Sequence, residues 1–227
     1  MECGQVKDIG KGWRRRLEVD LHRPDPAIVE VASRAVHRGE VLIYPTDTVY
    51  GIGCHGLCKP ALEKILQLKR RTADKGLLLL IPDLEAAERL TDGLPRQFQR
   101  LADRLWPGPV TFLVPAASTV PAPVTGNQGK VGIRCPSLPF LRLWLERLAV
   151  PIVSTSANLS GQPTPESGSR LEGLFGPKVD LFLDAGTLPE SAPSTVLDLC
   201  GEAPRIVRSG AMDEQILHLL AEDYGSG

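Results

Sequence analysis

Apolar and polar positions switch repeatedly between a helical and a strand period along the 227-residue chain. Ile28, Val31, Ala32, Ala35 and Val36 fall on one helical face behind Asp25 and Pro26, a cap residue followed by a first-turn proline. Val41 to Tyr44 then form a short apolar run that stops at Pro45, the profile of a buried strand. Further helices are predicted from Pro60 (Leu62, Ile65, Leu66), from Asp83 (Leu84, Ala87, Leu90) and from Pro95 (Phe98, Leu101, Ala102, Leu105). Another follows the stripe Leu141, Trp144, Leu145 and Leu148. Strands are predicted at residues 77–81, 110–114, 131–134 and 151–154. A weaker helix around Leu171, Leu174 and Phe175 precedes strands near residues 181–183, 194–199 and 205–208. A helix through Ile216, Leu219 and Leu220 closes the chain. Strands and helices interleave with no break in composition, which predicts one α/β (α+β) domain over residues 25–227 with a sizeable mixed sheet. Residues 1–24 lack periodicity and mix Lys7, Lys11, Arg14, Arg15, Arg16 and Arg23 with acids that include Asp8, Glu18 and Asp20. They read as an N-terminal arm, frayed or paired to a sheet edge, more than as a nucleic-acid tail.

Composition adds limits. With 42% hydrophobic and 23% charged residues and a net charge of −1, the chain has the make-up of a globular protein and no overall basic character. No apolar run approaches the ~20 residues of a membrane span, and no secretory leader is visible, so a cytoplasmic setting is expected. Five scattered cysteines fit free thiols in a reducing compartment. The 22 Gly and 20 Pro stand out, because tight turns are where backbone amides meet ligands.

Several segments carry polar chemistry at strand ends. Residues 44–53, YPTDTVYGIG, follow a buried strand as a long loop, where Asp47 and Thr48 either satisfy turn amides or face a ligand. Lys69, Arg70, Arg71 and Lys75 lie at a helix exit. They suit either the helix dipole or a phosphate clamp. Trp106-Pro107-Gly108-Pro109 is a rigid turn whose tryptophan lines the core or a groove. Residues 153–161 supply four hydroxyls and Asn158 directly after a strand, a density suited to an anion or nucleotide. Arg208 ends a late strand and is placed to return to the same pocket. A P-loop and a Gly-x-Ser-x-Gly elbow are missing, and no GxGxxG opens a helix after the first strand. Cys54-His55-Gly56-Leu57-Cys58 offers too few ligands for zinc, so the cysteines read as buried small hydrophobes and no metal ligand set is assigned. His22, His37 and His218 read as surface residues. With no nucleophilic trio, chemistry here rests on positioning and charge stabilisation.

Together YPTDTVYGIG (44–53), LKRRTADKGL (68–77), WPGPVTFLVP (106–115), VGIR (131–134), STSANLSG (154–161), PSTVLDL (193–199) and IVRSG (206–210) resemble the YrdC-like threonylcarbamoyl-AMP synthases, in family order. The resemblance implies a twisted mixed parallel/antiparallel sheet flanked by helices around a concave positive groove. It also implies condensation of L-threonine, bicarbonate and ATP to threonylcarbamoyl-adenylate and pyrophosphate, for N6-threonylcarbamoyladenosine formation at position 37 of tRNA. By the same resemblance Lys69 and Arg71 hold phosphates and act catalytically, with Lys75 beside them. Ser156, Asn158 and Arg208 match nucleotide-side positions. Thr48, Arg134, Ser154 and Ser194 match positions that hold threonine. Mg²⁺ is expected with ATP, and tRNA or double-stranded RNA and proteins of the threonylcarbamoyl-transfer machinery are possible partners. The sequence departs from many members at Thr72, at Lys75-Gly76 and at Leu80, in the manner of the short single-domain bacterial branch. Two alternatives remain open at this point: an RNA-binding module without catalysis, using the same cations, and an ATP-binding paralogue that has lost turnover.

Overall fold

Ten strands form one mixed sheet in the computed structural model, which describes residues 13–165 and 167–224. They are β1 (Arg16–Glu18), β2 (Leu42–Pro45), β3 (Tyr50–Gly53), β4 (Leu78–Leu80), β5 (Val110–Pro115), β6 (Lys130–Arg134), β7 (Ile152–Ser156), β8 (Leu181–Asp184), β9 (Thr195–Asp198) and β10 (Arg205–Arg208). Their spatial order is β1-β8-β2-β3-β7-β4-β6-β5-β9-β10. The β1/β8, β2/β8, β4/β6 and β5/β9 pairs are parallel, and the others antiparallel. Strand β7 joins the halves: Ser156 and Thr155 pair with β3, whereas Ser154 to Ile152 pair with β4.

Eight helices surround the sheet: α1 (Pro26–His37), α2 (Lys59–Lys69), α3 (Leu84–Glu88), α4 (Phe98–Leu105), α5 (Ala122–Thr125), α6 (Pro139–Leu148), α7 (Gly168–Phe175) and α8 (Asp213–Tyr224). The Asp25 carboxylate accepts from Ala27 N at 2.8 Å, and Asp83 accepts from Ala86 N at 2.8 Å, so both predicted caps are formed. The helix expected from Pro95 begins at Phe98, whose amide donates to the Pro95 carbonyl. Short α5 was not anticipated, and neither was β3, because residues 44–53 read as a loop. They form a hairpin instead, Leu42 opposite Gly53. A side chain at Gly53 would sit 1.9 Å from the Val153 carbonyl, so close approach to β7 demands the glycine that masked the strand.

One sheet face is fully covered. Ile43, Ile52, Leu79, Phe112, Ile133, Val153 and Leu197 pack there against residues of α2, α4 and α8. The opposite face divides in two. Under α1 and α6, Leu42, Tyr44, Leu181 and Leu183 meet Val36, Leu141 and the fully buried Trp144. Beyond β7, where Leu80 of β4 still joins the covered cluster, that face opens among the described residues into the floor of a groove.

The described part of the N-terminal arm lies along β8. Trp13 stacks on Phe182 with ring centroids 4.4 Å apart. Arg14 pairs with Asp180 at 2.7 Å, Arg15 with Glu40 and Arg16 with Asp184. Three consecutive arginines are thus each matched to a carboxylate of the domain. Lys7 and Lys11 lie outside the described residues.

Candidate functional site

The groove has a volume of about 510 Å³, within the size range of small-molecule sites. Its floor follows from strand alternation. On β6, Val131 and Ile133 enter the core, while Lys130, Gly132 and Arg134 face the groove. Thr111 and Leu113 of β5, Leu78 and Leu80 of β4, and Ser154 and Ser156 of β7 continue the same surface. Ser194, Val196 and Arg208 close one side, and the loops carrying Thr46 to Thr48 and Arg71 to Gly76 form the rims. Of the residues assigned from sequence, Thr48, Arg71, Lys75, Arg134, Ser154, Ser156, Ser194 and Arg208 are brought together here.

Lys69 and Asn158 do not line the groove. Lys69 is 2% exposed and runs beneath the loop after β7. Its Nζ donates to the Ser156 carbonyl, and to the Asn158 carbonyl and Oδ1 at 2.9 Å each. Burial, helped by the Arg71 charge, pulls its pKa down to about 8. Asn158 Oδ1 also accepts from Ser156 Oγ at 2.6 Å. The amide and the lysine therefore brace each other and aim the Ser156 hydroxyl.

Two positions later the chain turns the opposite way. Arg70 ends α2 in the left-handed region (φ 51°), which swings Arg71 onto the rim. Arg71 Nη2 donates to the Lys75 carbonyl at 3.0 Å and the Gly76 carbonyl at 2.7 Å, closing its own loop. Its Nε is buried and unpartnered. The loop is seated on α5 by close backbone contact, since a side chain at Gly76 (φ 57°) would come within 2.8 Å of the Val124 carbonyl. Gln128 adds a bond from Nε2 to the Asp74 carbonyl at 3.1 Å.

Arg134 is 4% exposed. Its Nε donates to the Gly108 carbonyl at 3.0 Å, and its Nη2 to Asp47 Oδ2. Arg208 Nη2 donates to the carbonyl and Oγ of Ser194, each at 2.8 Å, and that hydroxyl lies 3.3 Å from Thr111 Oγ1. Burial holds the pKa of Arg208 down, and so do the charges of Arg134 and Arg71. Burial lowers Arg134 too, against the opposing pull of Asp47. Three guanidiniums therefore share one electrostatic field, a configuration that favours polyanions.

Sequence reasoning missed Thr46, Thr111, Gln128 and Lys130 as groove residues and left Asp47 undecided. Thr46 Oγ1 builds the turn, accepting from the amides of Thr48 and Val49 at 3.2 and 3.1 Å. Lys130 pairs with Asp198 at 2.7 Å. The alternation Lys130, Gly132, Arg134 was the signal that could have exposed Lys130. Trp106 proves a core residue, with its ring against Phe98 and Phe112. Cys54 is buried, whereas Cys58 is only partly so.

Residues 34–210 match the Sua5/YciO/YrdC family, described as telomere recombination. The chain is 33% identical over 195 residues to the threonylcarbamoyl-AMP synthase of Pyrococcus abyssi, covering 86% of this chain and 57% of that one. It is also 33% identical over 177 residues to the threonylcarbamoyl-AMP synthase of Coxiella burnetii, covering 77% of this chain and 95% of the relative. Among solved structures, P. abyssi Sua5 complexed with L-threonine superimposes with a TM-score of 0.83 at 31% identity, over 90% of this chain and 60% of that one. E. coli YciO gives 0.78 at 28% identity, over 86% and 95%. The groove is thus carried on a shared architecture, and the chain belongs to the Sua5/YciO/YrdC family.

Proposed function

We propose that the chain is a threonylcarbamoyl-AMP synthase, a nucleotidyltransferase that condenses L-threonine, bicarbonate and ATP to threonylcarbamoyl-adenylate with release of pyrophosphate. The observation that carries this reading is the convergence of Arg71, Arg134 and Arg208 on a hydroxyl-rich groove. No side-chain nucleophile is needed. The neutral threonine amine captures carbon dioxide with release of a proton, or bicarbonate with loss of water, as a carbamate, whose oxygen attacks the α-phosphorus while diphosphate departs. Each step develops or moves negative charge, and fixed guanidiniums stabilise it without reorganising.

Arg134 suits the threonine carboxylate, because its Nε and Nη2 are fixed by Gly108 and Asp47 while Nη1 makes no bond to the described residues. Thr48, Ser154 and Ser194 surround that end of the groove. Arg71 and Lys75 take the phosphates, and Ser156 and Arg208 take the nucleotide side. Lys69 and Asn158 support Ser156 from behind, a reading based on their hydrogen bonds to the same loop.

Among the described residues no cluster of three His, Cys, Asp or Glu is assembled. A Mg²⁺ would be carried by the triphosphate oxygens, with the Ser156 hydroxyl as an oxygen donor from the protein, while the guanidiniums face the phosphates rather than the cation. When bound, the metal neutralises phosphate charge as the diphosphate leaves. The product would serve tRNA threonylcarbamoylation, in a cytoplasmic setting and with a transferase as partner; no helix of the described chain is long and apolar enough to cross a membrane.

The test is pyrophosphate release with each substrate omitted in turn. The reading requires threonine, bicarbonate and ATP together. RNA binding that falls steeply with salt and ignores threonine, without pyrophosphate release, would establish the RNA-binding alternative instead.

A further inference from the structure

Asp47 is the one carboxylate lining the groove among the described residues, set against Arg71, Lys75, Lys130, Arg134 and Arg208. An acid in an otherwise cationic groove that handles phosphates lowers affinity for every anion that enters. Its presence therefore asks for a cationic ligand group.

Its pairing with the buried Arg134 accounts for one carboxylate oxygen and leaves the other without a partner. An aspartate at this point of a turn ordinarily accepts from the next amides. Here Thr46 Oγ1 takes both, from Thr48 and Val49. Asp47 Oδ2 accepts from Arg134 Nη2, and Oδ1 is buried without a partner. Leaving a buried acceptor unmatched is destabilising, the more so when it is charged. The unmatched atom belongs to a residue of the groove wall, beside a fixed guanidinium.

An α-amino acid carries an ammonium and a carboxylate on the same carbon. A carboxylate and a guanidinium already in contact with each other are the complement of that zwitterion. We infer that Asp47 is the ammonium anchor of the amino-acid subsite: its Oδ1 accepts from the substrate α-ammonium while Arg134 takes the α-carboxylate. The inference rests on the amino-acid-activating reading above. Asp47 acts by placement, fixing the nitrogen at the Arg134 end of the groove; once the ammonium has given a proton to solvent, the carbamate formed on the free amine extends toward the phosphate side. It also supplies specificity, since an acid with no donor at the α-carbon leaves Oδ1 unmatched.

The experiment is calorimetric titration of the full chain with L-threonine and with 3-hydroxybutanoate, which keeps the carboxylate and hydroxyl and lacks the amine. Wild type should favour threonine by about 10- to 100-fold, the range for a charge-assisted hydrogen bond. Asp47→Asn and Asp47→Ser should each reduce that preference to less than about 3-fold, while binding ATP at least as tightly as wild type; Asp47→Glu should retain most of it. Any disturbance of Arg134 affects both ligands, so the ratio isolates the amine. A neutral variant that binds ATP and keeps the full wild-type preference overturns the inference. Wild type that binds ATP but not threonine overturns the functional reading itself, a result separate from loss of discrimination.

Discussion

The two halves of one sheet face follow the same alternation and end as opposites. Under α1 and α6 the outward positions are Leu42, Tyr44, Leu181 and Leu183, sealed by Trp144. From β7 onward the equivalent outward positions are Ser154, Lys130, Gly132, Arg134 and Thr111, and they line the open groove. The backbone is equally regular in both. What differs is what the outward side chains want: burial against a helix pair in one half, and a charged ligand in the other. Strand β7 carries the change within itself, with Ile152 in the covered core and Ser154 and Ser156 in the groove. The covered half can be altered only at the expense of stability, whereas the open half is held from behind and its face is free for chemistry.

That contrast can be broken at several points. Trp144→Ala in the covered half should cost about 3–5 kcal/mol, because a fully buried indole packed against Tyr44 and Phe140 leaves a cavity. Denaturant melts measure this, and an unchanged midpoint would mean the helix pair is not the support described. In the open half, Arg71→Ala should lower pyrophosphate release by about 100-fold or more, the scale of losing one charge-stabilising donor. Its melting midpoint should stay close to wild type. If Arg71→Ala instead unfolds the chain, its bonds to the Lys75 and Gly76 carbonyls are chiefly structural.

Gly132→Val is a milder test. A Cβ there would meet the Leu113 side chain at 3.2 Å and that of Thr111 at 3.5 Å, neighbours that can yield. Stability should fall by about 1–3 kcal/mol, while ATP affinity falls further because the floor is raised. Equal losses of stability and affinity would show that the floor is core.

The smallest effect concerns Lys69. Its folded pKa of about 8 lies below the ordinary 10.5, so between those values the unfolded chain binds the extra proton. The contribution of Lys69 to stability therefore rises as pH increases from about 8 to 10.5, and is lost as pH falls back through 8. Urea melts across that window should show a shallower rise for Lys69→Met than for wild type.

Much of this contrast was legible in the sequence. Val131-Gly132-Ile133-Arg134 alternates, and the caps at Asp25 and Asp83 were readable because their signals are local. The location of the cover was not, because α1 and α6 arrive from segments more than a hundred residues apart. Strand β3 was hidden by Gly51 and Gly53, which a strand propensity disfavours and a close β7 crossing requires. In the site, sequence spacing grouped Lys69 with Arg71 as neighbouring cations. The left-handed turn at Arg70 sends one beneath the floor and the other to the rim, and no residue type announces it. Asp47 was undecidable from its own segment, since Thr46 offers the turn the same acceptor.

The matched arginines along β8 have a practical consequence for anyone trimming the chain. Removal of residues 1–24 as a dispensable tail would strip β1 from the sheet and uncover a parallel-pairing strand margin at Leu181–Asp184. Asp180 and Asp184 would lose their counter-charges in the same cut. A shortened version would then present a sticky, unguarded border to its own copies, and poor solution behaviour would be an artefact of the cut.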